Sequence, residues 1–361
     1  MIEIDNIINK AISEGLFPGA ALSILSGTAV AVEAYYGRHT FCPWSRVIDA
    51  SSVFDLASLT KAIGTSLAIA ILCQHGRLSF DDALGDIIED IPEDKARITI
   101  GQLMTHSAGL PPWLPIYRIC RGQRHVGFPI SRQDILKYIV NTPLFYETGT
   151  GSVYSDLGFI LLGFIVEKLS GMSLGDFLYK YVFSPIKVQF FFGGLSEKCR
   201  EMAVPSGYCP VRKRMAWAET GDVNAWALGG FLGHAGLFSS LPSLSRLLAR
   251  LLEIVRGRNE ITGWLDGKTL SLMFSSHMPN TPWAIGFDRP TGKDSCAGRF
   301  FSKNSVGHLG YTGTSFWMDL DSEIVVIFLS NRTFPFDTMQ KRKKMKELRT
   351  VLHDRIRVLI G

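Results

Sequence analysis

The sequence predicts an α/β protein whose sheet is built from both ends of the chain. Strand-like segments lie near the two termini, at 19–38 and 314–332, and the residues between them read as helices broken by Gly and Pro. At 361 residues the chain is long enough to bury a large core. We expect one folded unit, residues 1–361, with an α/β subdomain at about 1–60 and 230–361 and a mostly helical subdomain at about 61–229.

The terminal elements follow from the spacing of apolar residues. Four isoleucines predict an amphipathic helix over 3–14: Ile4, Ile7, Ile8 and Ile12. The stretch "GAALSILSGTAVAVEAYYGR" predicts two strands joined at Ser26-Gly27-Thr28, and Asp321-Ser322 separates two more strands near the C-terminus. The last helix has an apolar face, which predicts core packing with a solvated basic face opposite: Met345, Leu348, Leu352, Ile356 and Leu359.

The middle of the chain is read as a series of helices. A long apolar helix is predicted from 58 to 75, ending near Gly76. Shorter helical pieces follow at "ITIGQLMTHSAGL", "SRQDILKYIVNT" and "LGFILLGFIVEKLSG". A further helix is predicted over 242–256, with Pro242 or Ser243 at its start.

Composition and charge argue against several classes of protein. The net charge of +5 is small and much of it lies in "KRKKMKELR", so it does not predict nucleic-acid binding. No apolar run reaches the roughly 18–20 residues of a membrane helix, and "MIEIDNIINKAISEG" lacks the features of a signal peptide. The six cysteines form no CxxC pair. We expect a soluble, reduced, cytoplasmic protein (periplasmic if an export signal was removed) without membrane insertion, metal or organic cofactor; the oligomeric state cannot be read from the sequence.

Lys61 stands at the head of the long apolar helix, three residues after Ser58, so the two side chains share a helix face. A serine hydroxyl needs a base to act as a nucleophile near neutral pH. Desolvation lowers the pKa of a buried lysine from about 10.4, and such a lysine can be that base. The alternative is structural: a serine that caps the helix and a lysine that extends to solvent.

A second Ser-x-x-Lys pair, Ser184-Pro-Ile-Lys187, lies in "YVFSPIKVQF". Pro185 there indicates a loop or a helix start in a strand-like context, and we interpret this pair as structural. Ser58 is the better candidate, because it precedes a long apolar helix in which an exposed Lys61 is hard to arrange.

A second cluster, Tyr154-Ser-Asp156, immediately precedes another apolar helix. A tyrosine near a Ser–Lys pair can carry a proton to the leaving group, and a nearby cation favours its phenolate. Asp156 can hold the lysine by charge and hydrogen bonding. The alternative reading makes Tyr154 a half-buried aromatic residue and Asp156 a helix cap.

A third element must bind developing negative charge, and the pattern His-x-Gly occurs at three positions, His125, His234 and His308. Only His308-Leu-Gly310 runs directly into the C-terminal strands, where glycine allows a substrate to approach the backbone. The N–H of the next residue, Tyr311, can pair with that of Ser58 as an oxyanion hole. We interpret His125 as a solvated loop residue and His234 as a structural histidine in a glycine-rich turn.

In order, Ser58-Leu-Thr-Lys61, Tyr154-Ser-Asp156 and His308-Leu-Gly310 resemble the three motifs of the penicillin-recognising serine enzymes, in particular the branch of class C β-lactamases, DD-peptidases and esterases. Flanking segments such as "FPGAALSIL", "GRLSFDD" and "GGFLGHAGLFSS" also occur in family order. The resemblance implies a β-lactamase-like (DD-peptidase) fold, with an antiparallel sheet flanked by N- and C-terminal helices and a mostly helical subdomain.

The resemblance also implies a role for each motif residue. Ser58 would be the acylated nucleophile, Lys61 its proton partner, and Tyr154 the general base or acid. His308 and Gly310 would line the cleft. Which of Lys61 and Tyr154 takes the first proton stays open, because the two groups titrate together. Asp156 stands where β-lactamases usually carry Asn and His308 where they usually carry Lys, and both differences favour peptidase or esterase activity over β-lactam hydrolysis.

We therefore expect a serine hydrolase that cleaves a small ester, amide or peptide through an acyl-Ser58 intermediate. The alternatives are a binding or regulatory protein on the same scaffold that acylates slowly or not at all, and a weak β-lactamase. The cleft walls are expected from 109–122, from 215–230 and from Phe316 or Trp317. Aromatic residues there fit an apolar acyl pocket or, equally, a lid and core: Trp113, Tyr117, Trp217 and Trp226. Asn224 is a candidate donor to a substrate carbonyl.

Overall fold

The computed structural model describes residues 1–119, 131–258, 261, 263–275, 280–292 and 295–360. Its strands are, in chain order, β1 (Gly19–Ser26), β2 (Ala29–Gly37), β3 (Val53–Asp55), β4 (Phe190–Phe192), β5 (Gly207–Cys209), β6 (Arg214–Ala216), β7 (Leu237–Ser240), β8 (Ser305–Leu309), β9 (Ser315–Asp319) and β10 (Ile324–Ser330). The main sheet is antiparallel, with the strand order β2-β1-β10-β9-β8. β1 pairs with β10, so both ends of the chain build one sheet, which confirms the predicted α/β class.

The central strands of this sheet are buried on both faces, because helices pack on each side. Side chains alternate between the faces with the period of two that strands impose. On one face the terminal helices Ile2–Ser13 and Met339–Ile360 cover Leu22, Ile24, Val326 and Phe328. The other face belongs to the large core that also contains the helix Leu241–Val255: Ala21, Leu25, Val325, Ile327 and Leu329.

The final helix departs from its prediction in two places. Met345, Leu352 and Ile356 are buried as expected, but Leu359, in the last turn before Ile360, is 47% exposed. The buried face also contains a basic residue: Arg349, which lies between Met345 and Leu352 on that face, donates from Nη2 to the carbonyls of Gly310, at 3.3 Å, and Thr314, at 2.7 Å. The helix therefore clamps the turn between β8 and β9.

His353, on the same helix, is fully buried, and its Nδ1 lies 2.6 Å from the carbonyl of Cys296. Burial lowers the pKa of His353 to about 4. Since the unfolded histidine binds a proton near pH 6.5, stability should fall as the pH drops from about 6.5 to about 4, by about 2–3 kcal/mol for this group. Urea unfolding at pH 7 and pH 4.5 should show a smaller acid loss for His353→Gln than for the wild type. An equal loss in both proteins would contradict the prediction.

The central part of the chain is mostly helical. Lys61–Thr65 is π-helical and continues into Ser66–Gln74, which confirms the long apolar helix. The other helices are Leu84–Ile87, Glu93–Ala96, Ile100–Met104, Arg132–Val140, Asp156–Ser170, Leu174–Leu178, Tyr179–Phe183 (π), Ser184–Ile186 and Glu197–Met202 (both 3₁₀), Val223–Ala227 and Gly267–Ser275. A small sheet, β3-β7-β4, joins this part to the rest of the protein. β4 belongs to the mostly helical part, whereas β3 and β7 lie before and after it in the chain. The proposed boundaries of the two subdomains stay a prediction.

No single helix of the described residues has both the length and the apolar character needed to cross a membrane. The bent pair Asp156–Ser170 and Leu174–Ile186, with an angle of 76° between its parts, meets that criterion by length and composition. The five cysteines that the structure describes are unpaired.

Candidate active site

Ser58 lies in a tight turn between β3 and the helix that begins with Lys61. Ala57, just before it, has a φ of 48°, a left-handed conformation that a non-glycine residue adopts only when its surroundings hold it. Asp55 provides that support: its carboxylate accepts hydrogen bonds from the backbone of Ala57, at 2.9 Å, and Gly221, at 2.7 Å. Thr312 also donates to the carbonyl of Asp55, at 2.7 Å. The turn is thus fixed to the β8–β9 connection.

Lys61 is completely buried and donates three hydrogen bonds, the number that an ammonium group can make. The acceptors of Nζ are Ser58 Oγ at 3.1 Å, Asp156 Oδ1 at 2.7 Å and the carbonyl of His234 at 3.2 Å. Burial opposes the charge of Lys61, but Asp156 and Tyr154 together outweigh it and raise the pKa of the lysine above its usual value. In the resting site Lys61 is therefore a cation and not a free base.

Tyr154 completes the group around the nucleophile. Lys61 Nζ lies 4.8 Å from the centre of the tyrosine ring, and the tyrosine hydroxyl lies close enough to Lys61 and Ser58 to interact with both. Burial raises the pKa of Tyr154, and the charge of Lys61 opposes that rise. His106 packs against the ring at 4.5 Å and accepts a hydrogen bond from the backbone of Ser155 at 3.1 Å. The tyrosine is therefore a phenol held beside a cation.

His308, on β8, faces the same site and is 2% exposed. Burial, together with the charge of Lys61, lowers its pKa to about 3, so the ring is neutral at physiological pH. Its Nδ1 lies 2.9 Å from the carbonyl of Leu309 and donates to it, which leaves Nε2 as a buried acceptor without a partner in the described part of the chain. His308 thus offers substrate a hydrogen-bond acceptor and not a positive charge.

Gly310 and Tyr311 lie where β8 ends beside the nucleophile. A Cβ on Gly310 would meet Thr314 Oγ1 at 1.9 Å and the carbonyl of Leu56 at 2.7 Å, so only glycine fits. The backbone N–H groups of Ser58 and Tyr311 border the same space, and neither donates to an acceptor in the described part of the chain. Two free N–H groups beside a serine hydroxyl are suited to bind an oxyanion.

Two cavities meet at Ser58, Tyr154 and Tyr311. The larger, about 630 Å³, extends past Asp222 and His234 to Trp113, Tyr208 and Phe336. The smaller, about 400 Å³, extends past Trp283 and His308 to Arg332, Arg342 and Arg349. The nucleophile therefore stands between a wall with Asp222, His234 and aromatic rings and a wall with several arginines, and Arg342 lines both cavities.

Several predicted wall residues lie elsewhere. Asn224 is fully buried: its Oδ1 accepts from the backbone of Tyr117 at 3.0 Å, and its Nδ2 donates to the carbonyl of Leu114 at 2.8 Å. Both polar atoms hold the 113–117 loop, so Asn224 is not positioned to bind a substrate carbonyl. Phe316 and Trp317 are fully buried in β9 and line neither cavity, which corrects their predicted place in the cleft wall.

Of the four aromatic residues predicted for an acyl pocket, Trp113 lines the larger cavity, whereas Tyr117, Trp217 and Trp226 do not. The second Ser-x-x-Lys pair, Ser184 and Lys187, is exposed in a 3₁₀ turn. The third predicted histidine, His125, lies outside the described residues.

The pair Asp222–His234 was not predicted from the sequence. His234 was interpreted as structural, but its carbonyl holds Lys61 and its Nε2 lies 3.0 Å from Asp222 Oδ1. Asp156, Asp222 and His234 place possible ligand atoms within 4.8 Å of one another, a geometry that also suits a metal ion. In this structure the ammonium of Lys61 already occupies Asp156, so the cation in this cluster is a lysine.

Ser58 with Lys61 and Tyr154, beside two free N–H groups, defines the site of a serine hydrolase of the Ser-x-x-Lys type. The Beta-lactamase family model matches residues 4–349, and the chain belongs to that family. Its β-lactamase-like fold and its class as a serine hydrolase agree with the sequence prediction.

Known proteins of this fold have diverse activities. The chain is 28% identical to an N-acetylmuramyl-L-alanine amidase of Bacillus subtilis (strain 168), over 91% of this chain and 80% of that protein. Among solved structures it is similar to EstCE1, a hydrolase with promiscuous acyltransferase activity, with a TM-score of 0.73, 18% identity and coverage of 97% of both chains. It is also similar to the D-alanine carboxypeptidase AmpC of Burkholderia cenocepacia, with a TM-score of 0.71, 14% identity and coverage of 96% of this chain and 97% of that one.

Proposed function

We propose that the protein hydrolyses an ester or amide bond of a small, peptide-like substrate through an acyl-enzyme at Ser58. The observation that carries the proposal is the bonding of Lys61, whose ammonium joins the Ser58 hydroxyl to Asp156 in a buried site that opens on two cavities. The names of an amidase and a carboxypeptidase among similar proteins support an amide or peptide substrate.

The proton path follows from the hydrogen bonds. Lys61 donates to Ser58 Oγ, so the hydroxyl hydrogen of Ser58 points to another acceptor, and the Tyr154 oxygen is within reach. Ser58 Oγ attacks the carbonyl carbon while Tyr154 relays the proton: the phenol hydrogen passes to the leaving oxygen or nitrogen as the bond from that atom to the carbonyl carbon breaks, and the Ser58 proton replaces it on the tyrosine. Negative charge develops on the tyrosine oxygen to the extent that its donation runs ahead of this replacement. Lys61 stabilises the negative charge that develops on the tyrosine. The N–H groups of Ser58 and Tyr311 bind the oxyanion.

Deacylation reverses this path. Water adds to the acyl carbon and gives a proton to Tyr154, and Tyr154 returns one to Ser58 Oγ as the ester bond breaks. The carboxylic acid leaves and the resting site is restored. Asp156 keeps Lys61 charged through both steps, so the lysine acts as an electrostatic group and a positioning group.

The acyl-enzyme can be tested directly by mass spectrometry. Protein mixed with p-nitrophenyl butyrate and quenched within the first turnovers should gain the mass of one butyryl group, and peptide mapping should place it on Ser58. The adduct should decay as butyrate is released. Ester turnover with no adduct on Ser58 and with an adduct on another residue would overturn the proposal.

A further inference from the structure

The wall of the larger cavity carries the carboxylate of Asp222 beside the Lys61–Asp156 pair. The charges of Lys61 and Asp156 offset each other at 2.7 Å. Asp222, on the same cavity wall, has a pKa lowered to about 2, because His234, the backbone of Ala225 and Lys61 together outweigh its burial. It is therefore ionised throughout the physiological range, and no lysine or arginine of the described residues pairs with it.

One oxygen of this carboxylate is free to bind a ligand. Asp222 Oδ1 accepts hydrogen bonds from the backbone of Ala225 at 2.7 Å and from His234 Nε2 at 3.0 Å. Its Oδ2 makes no hydrogen bond within the described part of the chain, and the side chain keeps 24% of its surface exposed. The bound oxygen fixes the carboxylate, and the other oxygen is open to the cavity.

The side chain of His234, beside Asp222, is a second and independent feature of the cavity wall. His234 lines the cavity and is only 1% exposed, yet its Nδ1 has no hydrogen-bond partner among the residues that the structure describes. In the neutral tautomer whose Nε2–H donates to Asp222, Nδ1 carries a lone pair that accepts hydrogen bonds. A buried acceptor without a donor is costly, and a ligand N–H removes that cost. The wall thus presents two kinds of acceptor, a carboxylate oxygen and an imidazole nitrogen.

The mouth of the same cavity is aromatic. Trp113, Tyr208 and Phe336 line it with 42%, 40% and 59% of their surfaces exposed. The rings of Tyr208 and Phe336 meet edge to face, with centres 5.7 Å apart. Exposed aromatic faces beside a carboxylate attract an organic cation and also cover its apolar side chain.

The position of Asp222 near Ser58 indicates which kind of organic cation the cavity binds. Ser58 and Asp222 line one cavity, and Lys61 contacts Ser58 while its partner Asp156 lies within 4.8 Å of the Asp222 group. An α-amino group is separated from the scissile carbonyl by a single carbon atom, so an acyl-Ser58 with a free α-ammonium holds its positive charge in this region. An amine in the leaving group would instead be uncharged, since it is part of the amide bond.

We propose that the larger cavity selects acyl groups with a free α-ammonium, as in an amino-terminal amino acid of a peptide, amide or ester, and that Asp222 is the residue that determines this specificity. The inference rests on the proposed acylation of Ser58 and names the substrate class for it. Asp222 binds the ammonium with Oδ2, His234 Nδ1 accepts a further hydrogen bond, and the aromatic mouth covers the side chain.

The test compares alanine p-nitroanilide with N-acetyl-alanine p-nitroanilide, each as the D and the L form. We expect the wild type to prefer the free amine by at least about tenfold in kcat/KM. Asp222→Asn keeps the acceptor for Ala225 and removes the charge. It should lower kcat/KM for the free amine by about 10- to 100-fold, mainly through KM, and change the acetylated substrate by less than about threefold.

Asp266→Asn is the matched control. Asp266 accepts from the backbone of Thr269 at 2.7 Å, as Asp222 does from Ala225, but lies outside the cavity. The Asp266→Asn variant should prefer the free amine over the acetylated substrate as strongly as the wild type does. The inference is overturned if the wild type prefers the acetylated form, if neither anilide is cleaved while butyrate acylates Ser58, or if Asp222→Asn weakens both substrates equally. Absence of any acylation of Ser58 would instead overturn the proposed function.

Discussion

Replacement of Ser58 by alanine is expected to lower ester and amide hydrolysis by about 10³- to 10⁶-fold, the range seen when the nucleophile of a serine hydrolase is removed. Alanine leaves the cavities and both N–H groups in place, so substrate binding should change little. Because the residue is small and lies at the surface of the cleft, the melting temperature should stay within a few degrees. Steady-state kinetics with p-nitrophenyl butyrate measure the loss.

The chain contains its own control for this experiment. Ser184 belongs to the second Ser-x-x-Lys pair and is exposed in a 3₁₀ turn. Ser184→Ala should retain wild-type kinetics, because neither cavity reaches that turn. Equal activity of Ser58→Ala and wild-type protein would show that another group is the nucleophile and that the hydrogen bond from Lys61 to Ser58 is only structural.

The parts of the fold that the sequence predicts are those with a local signal. The strands near both termini have the runs of apolar residues that a sheet covered on both faces requires, and the structure pairs β1 with β10 over seven residues. Four-residue helices such as Leu84–Ile87 are too short to show a helical periodicity of apolar residues, so they were not predicted.

The residues of the site also differ in whether the sequence shows a local signal for them. Ser58, Lys61, Tyr154, Asp156 and His308 lie in recognisable motifs, and the structure brings all of them to one cleft. His234 binds Lys61 through its backbone carbonyl. Every residue has such a carbonyl, so the sequence cannot indicate this role. The sequence does not distinguish an amide that holds a loop from one that binds a substrate, and the amide of Asn224 holds the 113–117 loop.

Burial of charge was the least predictable property. Arg349 lies in a basic run that reads as a solvated face, yet it is 7% exposed and its guanidinium donates to the carbonyls at the end of β8. The β8–β9 turn supplies the carbonyl acceptors that allow the guanidinium of Arg349 to be buried. The same contact holds Gly310 in place beside the nucleophile.

Lys61→Met is expected to lower hydrolysis by about 10³-fold or more and also to destabilise the protein. Methionine has a similar length but no charge, so Asp156 and the carbonyl of His234 lose their donor and Tyr154 loses the adjacent cation. Removing one partner of a buried ion pair costs about 3–5 kcal/mol. Asp156 is 17% exposed, so we expect a loss at the lower end of that range. Urea unfolding and ester kinetics measure the two effects.

The double variant Lys61→Met/Asp156→Asn separates stability from chemistry. Removing the unpaired carboxylate should recover most of the lost stability, while hydrolysis stays about 10³-fold below the wild type, because Tyr154 still lacks its cation. Recovery of activity together with stability would assign the loss in the single variant to the unpaired Asp156. Lys61 would then be a structural residue, and the proton path through Tyr154 would not depend on its charge.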